Sequence, residues 1–384
     1  MACLSRLLSH AHYFSFLSLW LLAAPTNADT VNTQKHTLNI DVFATGLNHP
    51  WSMVFLPEGD ILVSERNGAL KRVSDKGDVS HVSGLPEGLV YKGQGGLLGL
   101  ALSPDFSTNK IVYLAFSEEG QFSKAGTSVI RAKLQGNALS DITTIFQTAP
   151  RFAGGRHFGG RLLTTDKHLY IALGDRGNRD KAQHLDSHIG SVIRLNLDGS
   201  TPIDNPFYAQ SSATSDGIKP EIFSYGHRNI QGMTLDPKTN TLWTHEHGPQ
   251  GGDEVNTIEA GANYGWPTIT YGVNYGTGSK IGKGTHAEGM EQPLHFWVPS
   301  IAPSGLTIVQ GDTFPEWQGD LLLGSLKFGL LVRLDIENGV IVNEERMLDG
   351  KYGRIRDVVE GPGGKIYLLT DASNGQILRL HPTQ

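Results

Sequence analysis

Residues 156–177 read RHFGGRLLTTDKHLYIALGDRG: an apolar stretch, a short polar turn, then a second apolar stretch that runs into Asp175. Runs rich in Leu, Ile and Tyr on either side of such a turn predict an antiparallel pair of strands. The same grammar recurs along the chain. It is seen at 50–73 (PWSMVFLPEGDILVSERNGALKRV), 95–118 (GGLLGLALSPDFSTNKIVYLAFSE) and 228–248 (RNIQGMTLDPKTNTLWTHEHG). It returns at 304–335 with a longer turn and at 354–380 (RIRDVVEGPGGKIYLLTDASNGQILRL). Self-similarity with a period of roughly 40 to 50 residues and about four short strands per unit is the signature of a propeller. The repeats therefore predict an all-β chain, a six-bladed β-propeller of four-stranded antiparallel blades. A sandwich would not repeat this order of first and second strands. The period stretches at 199–217 and 263–286, which read as long loops of the kind that usually carry function.

Composition agrees. The chain has 384 residues, 47 of them glycine, and only 18% are charged; this excludes disorder and coiled coil and suits a turn-rich β protein. A net charge of −6 without a basic cluster argues against a nucleic-acid partner. The first 28 residues differ from the rest. Arg6 precedes the apolar run YFSFLSLWLLAA (13–24), which ends in PTNA before Asp29. That is the charged start, short core and small-residue exit of a secretory signal peptide, and the run is shorter than the ~20 residues of a spanning helix. The expectation is a cleaved signal peptide at 1–28, a single catalytic propeller domain at 29–384, no membrane span in the mature chain and export to the periplasm. The only cysteine, Cys3, falls in the leader, so the mature chain has no disulfide, which fits a bacterial periplasm.

In a propeller, the residues just before each first strand converge on one face of the channel. His157, Arg228 with Asn229, and Arg354 with Arg356 hold such positions; Gln94 precedes the equivalent strand of the second unit, and Lys327 lies between strands of the fifth. Arg228, Lys327, Arg354 and Arg356 bring positive charge to one mouth, and cations held so close call for an anion, which Arg binds in a bidentate manner. The alternative is local pairing with acids such as Asp357. An imidazole has a pKa near neutrality and suits a general base, and the Gly159-Gly160 pair after His157 would let a flat ligand approach. In HEHGPQGGDE (245–254), His245 and His247 share one face of a strand, yet no third nitrogen or sulfur ligand stands nearby. The glycine- and proline-exposed carbonyls with their carboxylates suit calcium instead; a solvent-facing polar turn is the other reading.

HFGGRL with its following GD, GHRNIQG, EHGPQGGDE with NYGWP, SLKFG, RIRDV with LTD, and GQGGLLG resemble, in order, the soluble PQQ-dependent sugar dehydrogenases. The closer resemblance is to the aldose sugar dehydrogenase branch of the glucose/sorbosone dehydrogenase family, and it runs from about GLNHPW (46–51) to the C-terminus. The resemblance implies pyrroloquinoline quinone (PQQ) lying flat over the channel with a calcium ion. Lys327, Arg354 and Arg356 would bind the quinone's carboxylates, Arg228 and Asn229 its oxygens, with Gln231 nearby and Gln94 facing cofactor and sugar. The carbonyls of Gly248 and Pro249 would hold the catalytic calcium; Glu254 and Tyr264 match a structural calcium site. His157 matches the base that takes the proton of the anomeric hydroxyl while C1 gives hydride to the quinone, yielding an aldonolactone and passing electrons to an acceptor.

Two departures bear on specificity: Arg156 stands where some glucose-oxidising members carry an acid, and Arg176 where they carry an amide. Together with a shorter loop at 263–286, they predict a broad aldose range. Two rival functions are a calcium-dependent propeller lactonase or other hydrolase, which would need acidic or Asn ligands on the axis, and a non-catalytic binding module.

Overall fold

The computed structural model describes residues 29–383, so the leader at 1–28 lies outside the described residues. The strands form six antiparallel sheets. Blades 1 to 5 span residues 50–82, 97–147, 159–225, 230–297 and 303–347, each four strands in simple succession. Blade 6 draws three strands from 355–382 and its fourth from Thr37–Leu47. That early strand runs antiparallel to Gly375–Pro382, with Leu38 opposite Pro382 and Leu47 opposite Gly375. Asp29–Asn32 pairs along its outer edge as a fifth strand, a departure from the strict four-stranded expectation.

The strands form because every blade is covered on both faces. Buried side chains gather between each pair of neighbouring blades. Leu98, Tyr113 and Val129 of blade 2 pack on Leu162, Ile171 and Ile193 of blade 3, and the other five junctions are built alike. At about 1.5–3 kcal/mol for each fully buried large aliphatic side chain, these junctions hold the ring together. The first strands of successive blades are neighbours around the axis, and the circle closes where Ile355–Glu360 of blade 6 meets Pro50–Phe55 of blade 1.

Each first strand carries a bulge at its start: at Pro50/Ser52, Leu97/Leu100, Gly159/Leu162, Ile230/Gly232, Ser304/Leu306 and Ile355/Asp357. Bulges bend a strand and re-aim its side chains, here at one end of the channel. Because the blades are meanders, that end receives both the segments leading into first strands and the turns after second strands. Below it the channel is filled. Arg161 pairs with Asp357 at 3.0 Å, donates from Nε to Gln231 O at 3.0 Å and lies over the Trp51 ring. Asp357 also accepts from Met53 N–H. It therefore belongs to this buried plug and is not the local partner of the mouth cations.

Candidate active site

His157 sits on the segment leading into blade 3, with a left-handed φ of 53°. Its N–H donates to Gln94 Oε1 at 2.7 Å, and Gln94 N–H donates to Gly155 O at 2.7 Å, so blade 2's lead-in fixes this turn. The ring Nδ1 lies 2.7 Å from Oδ1 of Asp175, which follows the second strand of the same blade (His168–Leu173). Asp175 is buried; it also accepts from Gly177 N–H (2.7 Å) and from Trp266 Nε1 (2.8 Å). Burial alone would raise the Asp175 pKa, but the bond and charge of His157, the Gly177 N–H and Arg228 hold it below the usual value. An ionised Asp175 fixes the proton on Nδ1 and leaves Nε2 as the free basic nitrogen. Burial lowers the pKa of His157, with Arg228 and Arg156 acting the same way and Asp175 opposing. The ring is therefore neutral at neutral pH.

A cleft of about 840 Å³ opens over the mouth, lined by Gln94, Arg156, His157, Arg228, Gly248, Pro249, Lys327 and Arg354. Below it a throat of about 250 Å³ is lined by Trp51, Arg66, Asn229, Gln231 and Arg356, among others. Ten of the residues anticipated from sequence thus come together. Arg228 is buried; its N–H donates to Glu246 Oε1 at 3.0 Å, its Nη1 to His247 O at 2.8 Å, and the guanidinium lies over Trp266. Asn229 Oδ1 accepts from Gly159 N–H. Gln231 Oε1 accepts from Arg356 Nη1 at 3.2 Å. Arg354 donates to Asp371 at 3.0 Å, and Arg356 stands 3.5 Å from the same carboxylate.

Local pairing therefore accounts for part of the cationic set. Asp371, drawn down to about 2 chiefly by Arg356 and His49 against its own burial, serves two of the four. Neither Arg228 nor Lys327 has a carboxylate partner among the described residues. Arg356 is brought down to about 10 by burial, with Arg354, Arg66 and Arg161 adding to it and Asp371 opposing; its buried Nε has no partner. Positive charge in this cradle thus exceeds the negative charge paired with it. Among the described residues no group of three or more His, Cys, Asp or Glu side chains is placed to hold a metal ion.

The turn after the second strand of blade 4 supplies Gly248 and Pro249. Asp253 accepts from Gly248 N–H (2.8 Å) and from Ala302 N–H (2.7 Å), tying the turn to blade 5. A Cβ at Gly248 would stand 2.0 Å from Gly252 O, so only glycine fits. Pro249 O accepts from the hydroxyl of Tyr275 at 2.9 Å. Glu254 and Tyr264 lie apart from the cleft. Glu254 is opposite Glu246 in the sheet, and burial, then Glu246 and Asp253, raise its carboxyl well above the usual range. Tyr264 stacks on His227, which holds Glu246 at 2.9 Å; its hydroxyl donates to Thr257 O and accepts from Glu259 N–H.

At three places singled out in the sequence the side chains and glycines hold packing or bonding roles. The Gly-Gly pair after His157 serves packing: a Cβ on Gly159 would meet Ala172 O at 2.5 Å, and one on Gly160 the Leu98 side chain at 2.6 Å. Arg176 turns away from the cleft, donating to Arg156 O and Gly154 O with its guanidinium on Phe158. His245 and His247 are struts, bonded through Nε2 to the carbonyls of Gly305 (2.9 Å) and Pro303 (2.8 Å). Sequence reasoning passed over Asp175, Asp371 and Trp266. The polar ends of the second strands were the available signal for the two acids; for Trp266 it was the NYGWP motif alone, because its loop returns to the mouth from outside the blade order.

Residues 47–379 match the family described as Glucose / Sorbosone dehydrogenase. The aldose sugar dehydrogenase YliI of Escherichia coli is 41% identical over 353 residues, covering 90% of this chain and 93% of its own. The apo-form structure of the soluble aldose sugar dehydrogenase from E. coli superposes with a TM-score of 0.86 at 40% identity, covering 90% of this chain and 100% of that one. The PQQ-bound form of the aldose sugar dehydrogenase from Streptomyces coelicolor gives 0.73 at 31% identity, over 90% and 98%.

Proposed function

The chain belongs to the glucose/sorbosone dehydrogenase family and is an oxidoreductase; from that membership we propose that it oxidises the anomeric C1 of aldoses to aldonolactones, using PQQ held with calcium over the channel. The observation that carries this reading is the His157–Asp175 pair at 2.7 Å, on the rim of a cleft that presents more cations than anions. Lys327, Arg354 and Arg356 would take the carboxylates of the quinone; Arg228 and Asn229 would face its oxygens, and Gln231 would hold Arg356 in place. When bound, the quinone supplies the two-electron acceptor for the hydride leaving C1. His157 Nε2 accepts the proton of the anomeric hydroxyl, and the ionised Asp175 stabilises the resulting imidazolium. Arg228 stabilises negative charge that develops beside it.

Calcium fits the Gly248 and Pro249 carbonyls as a hard cation among oxygen donors; a second ion beside Glu254 and Tyr264 would relieve the crowding of Glu254 against Glu246. Residues 1–28 support export to the periplasm, and among the described residues no helix is long and apolar enough to cross a membrane. The test is dye-linked oxidation of glucose, xylose and maltose by purified protein with and without added PQQ and calcium. Turnover that needs both additions is expected. Absence of turnover together with an unchanged quinone spectrum would sink the reading and favour a binding module.

A further inference from the structure

Beside His157, adjoining the cleft over the mouth and sharing Arg156, Arg228, Pro249 and Tyr275 with it, a pocket of about 220 Å³ is walled by Arg156, Arg179 and Arg228 with Trp266 and Tyr275. Its only carboxylate is Asp175, whose oxygens are engaged by His157, Gly177 and Trp266. Arg156 is exposed, lies along Gly177, and stands within no ion pair among the described residues. Arg179 donates to Asn274 Oδ1 at 3.1 Å and likewise has no acid partner there. The pocket that receives the sugar is thus edged by two guanidiniums free of any counter-charge, and it lacks an acid that could accept from a neutral hydroxyl.

We propose that this cleft selects aldoses bearing an anionic group at the end remote from C1, hexuronic acids foremost, over neutral aldoses; the proposal rests on the function given above. Guanidinium and carboxylate match as planar, paired donors and acceptors. With C1 at His157, Arg156 and Arg179 are the cations without an acid partner on the rest of the pocket's edge. A substrate of that charge supplies the counter-ion the cleft lacks, and a phosphate at the same carbon would answer to the same chemistry.

The experiment compares kcat/KM for glucuronate, galacturonate, glucose 6-phosphate, glucose and galactose in the quinone- and calcium-loaded protein, with a small neutral dye as acceptor. Either uronate is expected to exceed its neutral parent by about tenfold or more, the scale of one charge-assisted contact. The uronate-to-glucose ratio should fall by a similar factor in Arg156→Gln and in Arg179→Gln, and salt should raise KM for the acid sugars only. A preference for glucose 6-phosphate over both uronates would assign the anion as phosphate and keep the cleft's role. A wild-type preference for neutral sugars, or a ratio unmoved in the double variant, overturns the proposal.

Binding is read separately by calorimetry with methyl glucuronide and methyl glucoside, which have no anomeric hydroxyl to oxidise. Tighter binding of the glucuronide that is lost in the double variant supports the cleft's role even if no sugar is turned over, in which case the proposed function fails alone. Equal binding of the two glycosides, with normal glucose turnover, overturns the proposal while the dehydrogenase stands.

Discussion

His157 gains its role from its neighbours. Asp175 fixes its tautomer, Gln94 its backbone, and burial with Arg228 and Arg156 keeps it unprotonated. His157→Ala is expected to lower kcat by about 10²–10⁴-fold while PQQ still binds, as judged by spectral titration. Because the pKa of His157 lies below its ordinary 6.5 and the neutral form is the base, kcat/KM should be level at neutral pH and fall only at lower pH. Arg156→Gln removes one cation that disfavours the imidazolium, so the acid limb should move to higher pH. Asp175→Asn removes the group that favours it, so the limb should move to lower pH while the plateau drops. Lys327→Ala should weaken PQQ binding about tenfold or more. His157, Arg228, Arg354 and Arg356 were legible as single letters because they stand at or just before the first strand of a unit, and Lys327 as a cation between strands of the fifth. Asp175 and Asp371 were harder to see: their meaning comes from a partner in space, the His157 ring and the Arg354–Arg356 pair.

Among the elements, the six first strands decide how close the blades can come. Gly99 in blade 2 faces the Gly160 carbonyl of blade 3, where a Cβ would stand 2.1 Å from the oxygen. Gly99→Ala therefore forces a backbone shift and should cost about 1–3 kcal/mol, the usual range for overpacking, read from the denaturant midpoint. The number of blades and the paired strands could be read from alternating apolar runs and their turns. The bulges could not, since a bulge is a mismatch between two strands and neither strand alone shows it. The 37-residue excursion between Thr257 and His295 that brings Trp266 and Tyr275 back to the mouth was equally hidden: residues 263–286 were readable as a long loop, but their path depends on contacts such as Gln250 with Val273.

At the scale of the molecule, the ring is held shut by residues near the N-terminus. Gln34 N–H donates to Glu345 and its side chain receives Arg333 at 3.2 Å; Arg333 is fully buried and bonds Asp320 at 2.6 Å and Glu345 at 2.9 Å. Arg333→Met would strand those two acids in the core and should cost about 3–5 kcal/mol, seen as a lower thermal midpoint. The repeats revealed the blade count, but the closing strand is not a repeat of anything; its pairing with the last strand follows only once the circle is drawn. That arrangement sets the order in which the chain can mature. Thr37–Leu47 is synthesised before all the strands of blades 1 to 5 and finds Gly375–Pro382 only when translation is nearly done. Contacts between such distant segments form slowly, and until then the early strand is an unpaired edge, which is prone to wrong pairings. Closure of the ring through blade 6 is therefore a late event, so that chains arrested before residue 375 should be more open to protease than full-length chains.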